Sequence, residues 1–425
     1  MNKRGSYTLE NSDPEKGKIM KAAIYMGKES VELRELPLPE CGDDDVLIQN
    51  IYSSICGTDV AVYTHGPGTG HRITVGEEFG HETVSRVVAV GQHVKDFRVG
   101  ERVYPYPLYA KNDTKRAGTI GGFSEYILVP QAKKDHSLYS VSDKIPDRLA
   151  CLIEPFTVGC RAARRGQPKA GEKAVVFGCG TIGIAAAVAL QYFGISKVMI
   201  CDRSDFRLGI ARNLGFAVCN TEKEEFLKKA KEYFGTAHSL SGETADIDCF
   251  IDAAGAESIL QLFMEAGKIE SRFVTVAVNN SLRRLDLLHL TYAQKSIIGS
   301  GGYMPQDVSD VMCMMESGRW DLESIITHEF PLEQIEKAIQ TAADADHAFN
   351  VTINISGKTP KEPRCRQVKN KSCTCKHSVL VLNCPGTRKF NKDNRCQIRH
   401  CLDLVKREAG VSPARARRCK KGVRI

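Results

Sequence analysis

Residues 21 to about 129 alternate short runs of β-branched and aromatic residues with Gly, Pro and Asp. Val46-Leu-Ile-Gln-Asn-Ile-Tyr and the stretches 84–90 and 123–129 have the length and composition of strands, and together they predict an all-β, barrel-like unit. The texture then changes. Residues 147–163 are apolar at helical spacing, and Pro168-Lys-Ala-Gly-Glu reads as a turn. Ala174-Val-Val-Phe and Lys197-Val-Met-Ile-Cys are continuous apolar runs, followed by helical stretches at 182–193 and 204–214. Asp248-Cys-Phe-Ile-Asp and 272–278 continue the alternation, which predicts a parallel, doubly wound sheet. After Ser296-Ile-Ile-Gly come helical patterns at 308–317 and 332–342 and a strand at 350–355. No internal repeat is evident.

A chain of 425 residues exceeds what one hydrophobic core supports, so two domains are expected. No apolar run reaches the length of a membrane span. Residues 1–19 are polar and charged, without the apolar stretch of a secretory signal; they read as a disordered extension, with Met20 a natural start. The net charge of +8 conceals a split. Residues 357–425 hold 20 Lys+Arg against 4 Asp+Glu, a balance of +16, whereas the remainder holds 39 against 47, a balance of −8. An acidic body thus carries a basic tail, a pattern that points to weak, salt-dependent contact with nucleic acid or other polyanions. Seven of the 16 cysteines lie in that tail. The body cysteines sit in apolar runs, as at Cys201 and Cys249, where a thiol behaves as a small hydrophobe, so a reducing cytoplasm is expected. The tail has too little apolar surface to fold alone and reads as disordered; Cys373, Cys375, His377, Cys384, Cys396, His400 and Cys401 match no compact zinc module.

Gly178-Cys179-Gly180-Thr181-Ile182-Gly183 follows an apolar strand and opens a helix, the setting in which glycines cradle a dinucleotide pyrophosphate. Asp202 ends the next strand 19 residues past Gly183, where a carboxylate binds both ribose hydroxyls and repels a 2′-phosphate. NAD is therefore expected over NADP, although the adjacent Arg203 could accommodate a phosphate. Gly178, Gly180, Thr181, Ile182, Gly183, Asp202 and Arg207 are the candidate dinucleotide-binding residues.

Cys56 is followed 25 residues later by His81 and Glu82. Thiolate, imidazole and carboxylate form a ligand mixture that suits zinc and leaves room for an open position. Taken singly, Cys56 could equally be a buried thiol at a turn and His81 a polar loop residue. Taken together with Gly100-Glu-Arg-Val, Gly121-Gly-Phe-Ser-Glu-Tyr, Glu154-Pro-Phe and the glycine fingerprint, they resemble, in the same order, the motifs of the zinc-dependent medium-chain dehydrogenases. Within that family residues 20–356 look most like the polyol group typified by sorbitol dehydrogenase.

The resemblance implies a GroES-like β domain in two segments, 20–165 and 300–356, flanking a Rossmann domain at 166–299, with 357–425 outside it. It implies one catalytic zinc held by Cys56, His81 and Glu82, with Glu154 at the fourth protein position as a ligand or holding zinc-bound water. Thr58 matches the hydroxyl that passes the alcohol proton out, and Asp59 is placed to support the ligands. The implied reaction is NAD-dependent oxidation of a secondary alcohol to a ketone through a zinc alkoxide, on a polyol, sugar acid or similar small substrate, by a homo-oligomer. Threonine or simple alcohol dehydrogenase activity is the alternative within the family; a non-catalytic dinucleotide binder tethered by the tail is the alternative outside it. Substrate walls are expected near Tyr63, Tyr106 and Tyr303. Three departures stand out. Residues 104–120 contain no cysteine for a structural zinc lobe, Ala61 replaces a relay histidine (leaving His65 or water), and Ile269-Glu-Ser-Arg replaces a glycine pair.

Overall fold

The computed structural model describes residues 19–69, 72–278 and 281–357. The expectations for the N-terminal extension before Ile19 and for the tail after Gly357 lie outside the described residues. Two large sheets carry the structure. The first has seven strands and is built around Val46–Ser54 and Glu82–Val90, which pair antiparallel. Arg102–Pro105 and then Leu138–Ser140 extend it beyond Glu82–Val90, while Tyr126–Val129 pairs with the first half of Val46–Ser54 on its other edge. From the far end of the chain, Asn350–Asn354 pairs antiparallel with Val46–Ser54 and parallel with Ile326–Pro331.

The second sheet is six-stranded and wholly parallel. Its spatial order is Ala217–Asn220, Lys197–Asp202, Lys173–Phe177, Cys249–Asp252, Arg272–Thr275, Ser296–Gly299. The chain starts in the middle, winds outward to one edge, then returns to wind toward the other. That order leaves a crevice at the carboxyl ends of the central strands, where the winding reverses.

Against the parallel sheet lies the helix Thr181–Tyr192, whose residues Gly183 to Leu190 are all buried. A helix apolar on every side has nowhere to go but a core. The helix Ile153–Arg165 packs along it so closely that a Cβ on Gly159 would stand 2.5 Å from Ala185 Cβ. The predicted continuous helix over 147–163 is instead two, Asp147–Ala150 and Ile153–Arg165. Pro155 is the cause: without an N–H it cannot continue a helix through Cys151, yet it suits a first turn.

Other differences from the sequence pattern are local. The strand expected over 123–129 begins only at Tyr126, because Gly122 and Phe123 turn to bond Gly80 and Phe79. The strand at 272 stops at Thr275. The turn expected after Cys56 is a helix, Gly57–His65. Unforeseen are Ala217–Asn220, the helices Phe226–Phe234 and Glu257–Ala266, and the hairpin Thr236–Ser239 with Gly242–Ala245.

At the replaced glycine pair, Glu270 occupies the left-handed region, φ 64°, while its N–H bonds Ala293 O at 2.9 Å. A side chain there costs about 1–2 kcal/mol, partly offset by the greater freedom glycine has when unfolded. Glu270→Gly is therefore expected to stabilise the protein by roughly 0.5–1 kcal/mol, read as a Tm rise of about 1–3 °C. An unchanged or lower Tm would contradict the strain.

Candidate metal and dinucleotide site

The pairing of Val46–Ser54 with Glu82–Val90 sets Ser54 directly opposite Glu82. Cys56 lies two residues past the end of one strand and His81 just before the start of the other, so the intervening excursion returns to its own origin. The Cys56, His81 and Glu82 ligand atoms consequently lie within 4.8 Å of one another; among the described residues this is the group of His, Cys, Asp and Glu side chains that converges. Cys56 caps the helix Gly57–His65, and its backbone N–H donates to Asp59 Oδ2 at 3.0 Å. A helix N-terminus favours a thiolate. Asp59 Oδ1 stands 3.7 Å from His81 Nδ1. That neighbour favours the tautomer protonated on Nδ1 and leaves Nε2 to ligate.

Thr58 Oγ1 is buried beside the Cys56 sulfur and meets no hydrogen-bond acceptor or donor of ordinary geometry. Glu154 enters from the first turn of Ile153–Arg165 and is 8% exposed. It lies beside the convergent three, not among them, close enough to feel the charges of His81, Glu82 and Asp59. Tyr303 is a near neighbour of its carboxyl group.

Burial dominates the electrostatics. It pushes Glu154 up to about 7 and Asp59 to about 6, and it raises the Cys56 thiol well above its ordinary value. Glu82 is raised by burial as well. Burial pulls His81 down, but the charges of Asp59, Glu154 and Glu82 outweigh it and leave it raised. Three carboxylates and a thiol thus crowd a buried space with one imidazole to balance them. A divalent cation among these donors removes the conflict, and the soft thiolate with imidazole and carboxylate is a donor set that fits zinc.

The dinucleotide candidates share one crevice. A Cβ on Gly183 would fall 1.8 Å from Gly178 O, so only glycine lets the strand turn into the helix there. Gly180 caps Thr181–Tyr192 without a side-chain hydrogen bond, leaving the first N–H groups of the helix open to an anion. Asp202 is fixed by three backbone donors: Cys179 N at 2.7 Å, Arg203 N at 2.7 Å and Ser204 N at 2.9 Å. It borders a cleft of about 720 Å³ with Gly178, Ser204 and Arg207. Arg203 is largely exposed, borders the same cleft and pairs with Glu222 at 3.7 Å. Arg207 Nε donates to Ala345 O at 3.0 Å, and this arginine also borders a second cavity of about 220 Å³. That cavity joins the two halves: Cys56, Gly57 and Glu82 form one wall, and Gly180, Thr181, Ile182 and Gly183 the other.

Some contributors carried no sequence signal. Asn350 Nδ2 bonds Ser54 Oγ at 3.0 Å and Thr181 Oγ1 at 3.3 Å, tying the metal-side strand to the fingerprint helix. Asp252 Oδ1 accepts from Ala254 N and Gly255 N at the mouth of the crevice. Of the expected wall tyrosines, Tyr106 and Tyr303 stack together at 4.6 Å, while Tyr63 is bound elsewhere by Glu336 and Gln340. His65 is exposed at the end of Gly57–His65, seven residues beyond Thr58, about 10 Å along the helix.

Comparison with known proteins was made on this basis. Residues 42–141 match the model of the alcohol dehydrogenase GroES-like domain, and residues 181–317 that of the zinc-binding dehydrogenases. The chain is 29% identical over 323 residues to L-threonine 3-dehydrogenase of Proteus mirabilis, covering 72% of this chain and 91% of the relative. It is 28% identical over 349 residues to sorbitol dehydrogenase of Rattus norvegicus, covering 77% and 94%. The fold is shared with 2R,3R-butanediol dehydrogenase of Bacillus subtilis, at a TM-score of 0.69 and 24% identity, over 79% of this chain and 99% of that one.

The raised acids set a pH dependence. Glu154 has an ordinary value of 4.5 and Asp59 of 3.8. In metal-stripped protein the native state therefore binds more protons than the unfolded chain between about pH 4 and pH 7, so its stability falls as pH rises through that window. A bound divalent cation pairs with the same anions and removes the loss. The Tm gained on adding Zn²⁺ is expected to widen from pH 5 to pH 7.5 in thermal scans. A gain that stays constant or shrinks would contradict this assignment.

Proposed function

Because the chain belongs to the zinc-dependent alcohol dehydrogenase family of medium-chain dehydrogenases, we propose that it uses one zinc ion and NAD to oxidise a secondary alcohol of a small polyol, sugar acid or related substrate to a ketone. The observation that carries this reading is the cavity between Cys56 and Glu82 on one side and Gly180 to Gly183 on the other, which sets a metal ligand set against a dinucleotide cradle.

When bound, zinc acts as a Lewis acid that acidifies a coordinated hydroxyl, as it takes water from 15.7 to about 7, and the nicotinamide accepts the hydride. The chain's own residues prepare that step. Cys56, His81 and Glu82 hold the metal, and Asp59 orients His81. Thr58 Oγ1, buried beside the Cys56 sulfur, would take the proton of the substrate hydroxyl and pass its own on. With Ala61 at the relay position and His65 exposed, water carries the proton onward. The open helix end at Gly180, with Arg207 beside it, receives the pyrophosphate, and Asp202 the ribose hydroxyls.

Two further readings have support. The similarity to a threonine dehydrogenase favours an amino-alcohol substrate about as strongly as the similarity to sorbitol dehydrogenase favours a polyol. Among the described residues Ser296–Gly299 forms an edge of the parallel sheet, and with Leu287, Leu288 and Tyr292 exposed it supports a homo-oligomer. Among the described residues no helix is long and apolar enough to cross a membrane.

A dehydrogenase screen over polyols, aldonates and amino alcohols tests the reading. Turnover is expected with NAD in preference to NADP. Asp202→Ala is expected to reduce that preference by about tenfold, the scale of one lost charge–charge contact near the surface. Equal or better turnover of the parent with NADP would assign the choice to Arg203 instead.

A further inference from the structure

The strands Lys197–Asp202 and Ala217–Asn220 pair in register and end side by side. Each is followed by a charged residue that borders the dinucleotide cleft, Arg203 after the first and Glu222 after the second. Arg203 Nη1 stands 3.7 Å from Glu222 Oε1. The two side chains are exposed, but the turns that carry them are fixed. Thr221 N donates to Asp202 O at 3.0 Å. Asn220, 4% exposed, uses both ends of its amide. Its Nδ2 donates to Arg203 O at 3.1 Å and to Asp205 Oδ1 at 2.7 Å, and its Oδ1 accepts from Glu222 N at 3.0 Å. One buried side chain thus sets the spacing between the backbones that carry the cation and the anion.

A dinucleotide with a phosphate on its adenosine ribose needs a cation beside Asp202, and a guanidinium is the group best suited to it. Among the described residues two guanidinium groups border the cleft. Arg207 donates to Ala345 O at 3.0 Å and lies over the Phe349 ring. Arg203 is the one adjacent to Asp202, and Glu222 is its partner. Asp202 alone is a weakened guard, because three backbone N–H groups take up most of the roughly four acceptor positions of its carboxylate. Glu222 changes the balance of the rim. The charges of Asp202, Arg203 and Glu222 sum to −1, and without Glu222 they sum to zero.

We propose that Glu222 is a specificity-determining residue. By occupying Arg203 and adding a negative charge to the rim, it turns the cleft away from a 2′-phosphate, so that the choice of NAD over NADP is shared between Asp202 and Glu222. The inference rests on the dinucleotide reading above and adds to it the residue that decides what Arg203 does.

The test measures binding of 5′-AMP and 2′,5′-ADP, which differ only in the 2′-phosphate, to full-length protein by calorimetry at low salt. The parent is expected to bind 5′-AMP more tightly. Glu222→Gln keeps the size of the side chain and the backbone ties of its turn. It is expected to raise the affinity for 2′,5′-ADP relative to 5′-AMP about tenfold, the effect of one charge on a group that carries nearly two. In an Arg203→Ala background the same substitution should raise that ratio by about twofold or less, because the freed cation is gone. Raising the ionic strength to about 1 M should shrink the gain, since exposed charges are screened. A ratio that Glu222→Gln leaves unchanged would overturn the proposal, and so would a gain undiminished by Arg203→Ala. A parent that already favours 2′,5′-ADP overturns it too. Failure of the parent to bind 5′-AMP, 2′,5′-ADP or NADH at all would overturn the dinucleotide reading itself, and with it this inference.

Discussion

The structure depends on the close contact between the helices Ile153–Arg165 and Thr181–Tyr192. Gly159 brings their backbones near enough that a single methyl group would collide with Ala185. One helix carries Glu154 in its first turn; the other begins at the fingerprint glycines. Their separation therefore sets the distance between Glu154 and the fingerprint glycines. The run of small residues along Thr181–Tyr192 makes that approach possible, and its complete burial makes it rigid. Asn350 adds a polar tie at the same junction, from Ser54 on one sheet to Thr181 at the head of the helix.

Against this frame one thiol and three carboxyl groups are held at an electrostatic cost. Asp59, Glu82 and Glu154 are buried and Cys56 is partly so, and burial raises each of them. A set of anions in such a place is stable only with a cation among them. The same burial that sets these anions against one another would strengthen the hold on a bound cation, because the low dielectric magnifies every interaction of the ion with its ligands. Asp59 contributes twice, fixing the Cys56 backbone and orienting His81.

Much of this was legible in the chain itself. The parallel sheet followed from apolar runs alternating with helical patterns, and Asp202 from its spacing past Gly183. The convergence of Cys56 with His81 and Glu82 was not visible as geometry, since it depends on the register that sets Ser54 opposite Glu82. Short edge elements were missed for a physical reason: Ala217–Asn220 is four residues long and lacks the continuous apolar character of the central strands. The helix after Cys56 was hidden by Gly57, Thr58 and Asp59, residue types that favour turns but here fill a first turn, with Asp59 capping backward. Asn350 carried no local signal because its role arises only from a neighbour about 300 residues away in sequence.

The most direct test is an anomalous diffraction measurement at the zinc absorption edge on crystals of the zinc-loaded protein. A single strong peak is expected about 2.3 Å from Cys56 Sγ and about 2.0–2.2 Å from His81 and Glu82, facing the cavity that ends at Gly180 to Gly183. A peak located elsewhere, or none near Cys56 in protein that is folded and turns over substrate, would contradict the account.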